Sequence, residues 1–136
     1  VIPGTPASAN VDPRAAQLAE EAQKGLKVNR IKAEQQAEEA LKLDPEQPVA
    51  RSVLADILEG KAKSSLENGW FGKAIEAASR AIQLDATCKE PYFLLGLAYH
   101  ELGRKPEAKA ALAEYVKRCP SCGFNSNYAQ SILKGL

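Results

Sequence analysis

Three cysteines and one histidine are the residues of this 136-residue chain best suited to chemistry. Cys119 and Cys122 form a Cys-x-x-Cys pair followed by glycine, while Cys88 and His100 lie elsewhere in the sequence. A structural zinc site needs four ligands, usually two such pairs or one pair with two histidines. A redox dithiol typically stands at the start of a helix in a βαβ unit. Neither pattern is complete here, so Cys119 and Cys122 are weak candidates for metal or redox chemistry.

Two simpler states of the Cys119–Cys122 pair remain open. We favour ordinary thiols at a turn, and the alternative is a local disulfide in an oxidising compartment. Three cysteines in a helical chain do not suggest a disulfide scaffold, which mildly favours a reducing compartment. We therefore expect the cytoplasm rather than a bacterial cell envelope, with no metal and no cofactor.

A catalytic centre cannot be assembled from this sequence. His100 has no recognisable serine or cysteine partner, and the chain has neither a glycine-rich phosphate loop nor an HExxH pair. A lone histidine on a helix is usually a polar surface residue, although it can also tune binding near neutral pH. We predict that the protein is not an enzyme.

The overall charge and the hydropathy pattern narrow the range of partners. A formal net charge of +1 gives no electrostatic case for nucleic acid or anionic lipid. No apolar run is long enough to span a bilayer, so we expect no membrane insertion. The alanine-rich composition favours a bacterial origin.

The first thirteen residues contain three prolines together with glycine, alanine, serine and asparagine. Such a composition buries little apolar surface and is typical of a linker or tail. We therefore predict a flexible segment over 1–13 and a single domain over 14–136, belonging to a longer protein.

The elements that would position any functional residue are helices. Apolar residues recur at spacings of three and four, and no long stretch alternates with a period of two. The pattern predicts an all-α fold with helices over 12–27, 31–43, 47–68, 71–84, 89–102, 105–118 and about 125–134.

Part of the chain repeats with a period of 34 residues. Four small or apolar positions recur at this spacing: Gly69, Ala74, Ala78 and Ala81, then Gly103, Ala108, Leu112 and Tyr115. A period of this length is typical of a helical solenoid, in which each unit buries its apolar face on its neighbours.

The third copy resembles a tetratricopeptide repeat most strongly, over residues 89–120. Its bulky, small and aromatic positions match that family's pattern: Tyr92, Leu95, Gly96, Tyr99, Gly103, Ala108, Leu112, Tyr115 and Pro120. Tyr92 stands where the family often has tryptophan. The resemblance implies a right-handed solenoid of about three helix hairpins, with repeats over about 14–45, 47–86 and 89–120. It also implies a module for protein–protein interaction.

The first two copies are weaker, and their spacing is longer. Ala40, Leu43 and Asp44 recur as Ala81, Leu84 and Asp85 after 41 residues, seven more than the repeat. Seven residues are close to two helical turns, so the insertion keeps the apolar face in phase. We predict a lengthened third helix that serves packing. The alternative is a protruding ledge for a partner.

The resemblance places a partner-binding groove on the first helix of each hairpin. The corresponding positions in the second and third repeats are Asp56, Glu59, Lys63, Leu66, Glu67, Glu90, Phe93, Leu97, His100 and Glu101. We expect Phe93 and Leu97 to be exposed anchors for an amphipathic helix or extended peptide that carries positive charge. The alternative is that both residues pack against the final helix. The lysine and asparagine clamp that some family members use for acidic tails is not evident.

The final helix carries Phe124, Tyr128 and Ile132 at a spacing of four. We expect this apolar stripe to cap the core at the end of the solenoid. Alternatively, it is an interface through which the chain self-associates, as a homo-oligomer or as an assembly element attached to an enzyme such as a kinase or to a secretion apparatus.

Overall fold

The computed structural model describes residues 12–136, and within that range the chain forms seven helices and no strand. These helices are α1 (Arg14–Gly25), α2 (Arg30–Leu43), α3 (Pro48–Glu67), α4 (Phe71–Leu84), α5 (Glu90–Glu101), α6 (Lys105–Arg118) and α7 (Gly123–Gly135). The all-α prediction is confirmed. The predicted linker over 1–13 lies outside the described residues, except for Asp12 and Pro13 at the start of α1.

The chain divides into two compact units, with the boundary after Ile57 inside α3. In the first unit, α1 and α2 form a hairpin, and α3 begins against it. One core cluster of this unit consists of alanines whose side chains are fully buried, namely Ala19, Ala40 and Ala50. Because alanine side chains are small, helix axes can approach closely.

The second unit contains two buried clusters. In the first, Ala62 of α3, Ala78 of α4 and Leu94 of α5 pack together. In the second, Phe93 of α5, Leu112 and Tyr115 of α6 and Ala129 of α7 pack together. Each helix after α3 therefore buries its apolar side on the next helix along the chain.

Two glycines explain the turns within the hairpins of this unit. Gly69 has φ 78° and Gly103 has φ 74°, a left-handed conformation that costs glycine little. Gly69 donates its amide hydrogen to the carbonyl of Leu66, and Gly103 donates in the same way to His100. The same turn thus recurs 34 residues later, as the sequence predicts.

Two aspartates shape the connections between hairpins. The Oδ1 atom of Asp44 accepts from the amide of Glu46 at 3.0 Å, and Asp85 accepts from the amide of Thr87 at 3.0 Å. These turns explain why the Leu-Asp pair recurs after α2 and α4. The spacing of 41 is taken up by α3, which has 20 residues, whereas α2 and α4 have 14 each. The predicted lengthening of the third helix is confirmed.

Candidate protein-binding surface on α5 and α7

Helix α5 carries five of the predicted groove residues. His100 and Glu101 are exposed, and Glu90 and Leu97 are half-buried. Phe93 is only 6% exposed, so the expectation that it is an exposed anchor is wrong. The reason is the position of α7, which covers this part of α5.

Phe93 lies between the aromatic residues of two other helices. Its ring centroid is 5.1 Å from that of Tyr115 and 6.3 Å from that of Tyr128, which meets it edge-on. Leu97 packs against the same cluster. A polar contact accompanies this packing, since Asn125 Nδ2 donates to Glu90 Oε1 at 2.7 Å. Phe93 is therefore a core residue, and the alternative that it packs against the final helix is correct.

Helix α7 presents two of its aromatic residues to solvent. Phe124 is 78% exposed and Tyr128 is 43% exposed. Their rings stack with centroids 5.8 Å apart and an interplanar angle of 9°. We refer to Phe124 and Tyr128 as the α7 aromatic pair. Of the predicted stripe, Ile132 packs against the core as expected, whereas Phe124 and Tyr128 are exposed.

The buried face of α7 contains smaller residues that the apolar pattern does not single out. Ser126 and Ala129 are buried, and Ile132 and Leu133 are half-buried. The Ser126 hydroxyl donates to the carbonyl of Cys119 at 2.6 Å and accepts from the amide of Cys122 at 2.8 Å. These two bonds compensate for burying a polar side chain and fix the start of α7.

The α6–α7 turn contains a disulfide between Cys119 and Cys122, whose Cα atoms are 5.5 Å apart. The preference for ordinary thiols at this turn is therefore wrong. The turn brings the two residues within the distance range that a disulfide requires. Across residues 12–136, no group of three histidine, cysteine, aspartate or glutamate side chains could hold a metal ion.

The Tyr115 hydroxyl is buried and has no hydrogen-bond partner within the described chain. Asn125 and Ser126 lie nearby, but Asn125 donates to Glu90 and Ser126 donates to Cys119. Burial, and then the nearby Glu90 carboxylate, raises the pKa of Tyr115 above its ordinary value.

The predicted residues of α3 are divided by the boundary between the two units. Asp56 is exposed in the first unit. In the second unit, Lys63 and Glu67 are exposed and Glu59 is half-buried. These positions supply charge on α3, but the apolar part of the surface comes from α5 and α7.

Trp70 lies in the α3–α4 turn and offers a further aromatic side chain to solvent. It is 56% exposed, and Lys73 Nζ lies 5.1 Å from its ring centroid. Trp70 thus provides an exposed aromatic side chain that is not part of the α7 aromatic pair. No helix in the described residues is long and apolar enough to cross a membrane.

Comparison with known proteins identifies the repeat. Residues 90–122 match the model of the tetratricopeptide repeat, and a search of curated protein sequences finds no significant match. The tetratricopeptide-repeat (TPR) domain of Arabidopsis OM64 is similar in structure, with a TM-score of 0.53 at 21% identity over 90% of this chain and 95% of that one.

Two further solved structures share the fold. The C-terminal TPR-containing domain of a Plasmodium falciparum FK506-binding protein has a TM-score of 0.60 at 21% identity, over 90% of this chain and 87% of that one. The second TPR domain of human RPAP3, solved in complex with the HSP70 peptide SGPTIEEVD, has a TM-score of 0.52 at 17% identity. That match covers 89% of this chain and 95% of the human one.

Proposed function

We propose that this chain is a non-catalytic module that binds a partner protein, because its residues 90–122 match the tetratricopeptide repeat and its fold is that of tetratricopeptide-repeat domains. The partner contributes a peptide or a helix, which docks on the surface formed by α5 and α7. Such a module serves a larger protein or assembly.

The observation that carries this proposal is the exposure of the α7 aromatic pair. Phe124 and Tyr128 offer a stacked apolar surface to solvent, and Tyr128 also contacts the core through Phe93. Aromatic side chains with one face supported by the protein are the residue type most often found as anchors in protein interfaces. The partner should therefore insert an apolar side chain beside this pair.

The charges of α5 indicate the chemistry of the partner. Glu101 is exposed and Glu90 half-buried on α5, which has no lysine or arginine, whereas Glu59 and Glu67 of α3 are balanced by Lys61 and Lys63. Acidic surroundings favour a partner with lysine or arginine next to its apolar anchor. The peptide in the human RPAP3 complex is acidic, and we propose that a peptide of that kind is not the partner here.

Selection from a displayed random peptide library tests the proposal with no partner specified in advance. We expect selected peptides to combine apolar anchors with positive charge, and to bind more tightly than SGPTIEEVD. Phe124→Ala or Tyr128→Ala should weaken binding about 30-fold, as is typical of an interface anchor. Because both side chains are exposed, neither substitution should unfold the protein.

The control variant is Trp70→Ala, which removes another exposed aromatic side chain of the same unit. It should leave the affinity unchanged. Equal losses in all three variants would indicate non-specific adhesion to aromatic residues. Unchanged affinity in the α7 variants would reject this surface as the binding site.

Self-association through the α7 aromatic pair is the second candidate function, because two copies could bury the same exposed rings against each other. Light scattering over a dilution series separates the two functions. A monomer at every concentration excludes self-association, whereas a dimer that Phe124→Ala dissociates supports it.

The Cys119–Cys122 disulfide indicates the cellular compartment of the protein. Disulfides persist in oxidising surroundings, so the Cys119–Cys122 bond supports the bacterial cell envelope over the cytoplasm. Alkylation of the protein in its native cells, followed by mass measurement, tests this assignment. Modification of Cys88 alone agrees with it, and modification of all three cysteines contradicts it.

A further inference from the structure

The turn between α1 and α2 concentrates positive charge that the net charge of the whole chain conceals. Residues 23–33 contain four cationic side chains and no aspartate or glutamate. The four residues, all exposed, are Lys24, Lys27, Arg30 and Lys32. We refer to residues 24–32 as the basic turn.

Two apolar side chains protrude between these cations. Val28 is 86% exposed and Ile31 is 75% exposed, the largest exposures among big apolar residues of the described chain apart from Phe124. A solvated β-branched side chain loses contact with water when it enters an apolar phase, which is favourable. The combination of protruding apolar groups and surrounding cations is complementary to a ligand with an apolar layer beneath negative charge.

The shape of the basic turn is fixed by local hydrogen bonds. The amides of Val28 and Asn29 donate to the carbonyl of Gly25 at 3.0 and 2.8 Å. Asn29 Oδ1 accepts from the amide of Lys32 at 3.1 Å and caps the start of α2. Val28 and Ile31 are thus held outward by a formed turn, and binding would require little ordering of the backbone.

The cations of the basic turn remain available to a ligand. Within residues 12–136, none of the four forms an ion pair. Glu21 is the acidic residue beside Lys24 and Lys32, and its carboxylate accepts a hydrogen bond from Gln36 at 3.2 Å. A negatively charged ligand could therefore approach the turn without displacing a salt bridge.

We propose that the basic turn docks the protein onto an anionic lipid surface. Val28 and Ile31 enter the boundary between headgroups and acyl chains, while the four cations contact the phosphates. This site lies in the first unit, so it is separate from the α5–α7 surface. An acidic peptide would satisfy the charges, but Val28 and Ile31, which protrude between the cations, also need an apolar phase, and a lipid layer supplies one.

Sedimentation with vesicles tests the proposal on the full chain. One set of vesicles is pure phosphatidylcholine, and the other contains about one-third phosphatidylserine. We expect binding to the anionic vesicles only, weakening as salt is raised. Each lysine or arginine near such a surface contributes about fivefold to the binding constant, so Lys27→Gln with Arg30→Gln should weaken binding about 25-fold.

Two further variants make the outcome specific. Val28→Ser with Ile31→Ser keeps every charge and should still weaken binding by at least tenfold, because the apolar insertion is lost. Lys105→Gln with Lys109→Gln removes two exposed charges from α6 and should have little effect. Thermal melting confirms that the variants are folded.

Several results of these experiments would refute lipid docking by the basic turn. Absence of binding to anionic vesicles, equal binding to both vesicle types, or full binding by the Lys27/Arg30 variant would each refute it. Full binding by the Val28/Ile31 variant would refute insertion. Binding of a soluble polyglutamate peptide without vesicle binding would assign the basic turn to an acidic protein instead.

Discussion

Replacing Gly96 by alanine tests the closest approach between α5 and α6. A Cβ atom on Gly96 would lie 2.5 Å from both Cγ and Cδ2 of Leu112 and 3.3 Å from its backbone nitrogen. Leu112 is fully buried, so its side chain has no free space into which to move. We therefore expect Gly96→Ala to destabilise the protein although alanine favours helices.

The size of the effect follows from two opposing contributions. Alanine in a helix interior is about 1 kcal/mol more favourable than glycine. Overpacking of a well-filled core costs about 1–3 kcal/mol, and the short distances to Leu112 place this case near 3 kcal/mol. The net loss in unfolding free energy is about 2 kcal/mol, which should lower the melting temperature by roughly 8 °C.

A matched control is available at Gly72, the second residue of α4, where an added Cβ would meet nothing within 4 Å. Gly72→Ala should stabilise the protein by up to about 1 kcal/mol. Urea denaturation of both variants measures the two free energies. If Gly96→Ala is as stabilising as Gly72→Ala, that result contradicts the close contact between Gly96 of α5 and Leu112 of α6.

Three further substitutions test single contacts, each by urea or thermal denaturation. Asn29→Ala removes the cap of α2 and should cost about 1 kcal/mol, whereas Asn29→Asp should retain most of the stability. Ser126→Ala deprives the carbonyl of Cys119 and the amide of Cys122 of their partner and should cost about 1–3 kcal/mol; no loss would contradict this bonding. Burial raises the pKa of the Tyr115 hydroxyl above its ordinary value of 10.0. Just above that pH the unfolded chain therefore loses the hydroxyl proton while the folded protein keeps it, so the free energy of unfolding should fall as the pH rises further. Tyr115→Phe should reduce that alkaline fall, and an unchanged pH profile would contradict the burial of the hydroxyl.

Local signals in the sequence were sufficient to predict the helices and their connections. Gly69 and Gly103 determine their own turns through a left-handed backbone, and Asp44 and Asp85 accept bonds from amides two residues away. Such features depend on near neighbours in the chain. They are therefore predictable without the tertiary packing.

The orientation of α7 could not be predicted in the same way. Its apolar pattern selects Phe124, Tyr128 and Ile132. Ile132 packs against the core, but the fully buried residues of the helix are Ser126 and Ala129, and Phe124 and Tyr128 are exposed. A serine becomes a suitable buried residue only because Cys119 and Cys122 offer it two backbone bonds. The burial of Phe93 follows from this orientation, so the sequence pattern misassigned both the anchor and the exposed aromatic surface.

The net charge of the whole chain also conceals how the charged residues are distributed along it. The whole-chain net charge of +1 does not show that four cations and no carboxylate lie within residues 24–32. The position of these cations beside Val28 and Ile31 is informative only once the structure shows that both apolar side chains are exposed. A window of local charge along the sequence would have found the cations, but not the protruding apolar side chains.

Amide hydrogen exchange with a peptide selected from the displayed library tests the proposed binding surface most directly. Saturating the protein with this peptide should slow exchange in α5 and α7, over residues 90–101 and 123–135, and leave α1 and α2 unchanged. Protection confined to α1 and α2, or no protection at saturation, would contradict binding at the α7 aromatic pair.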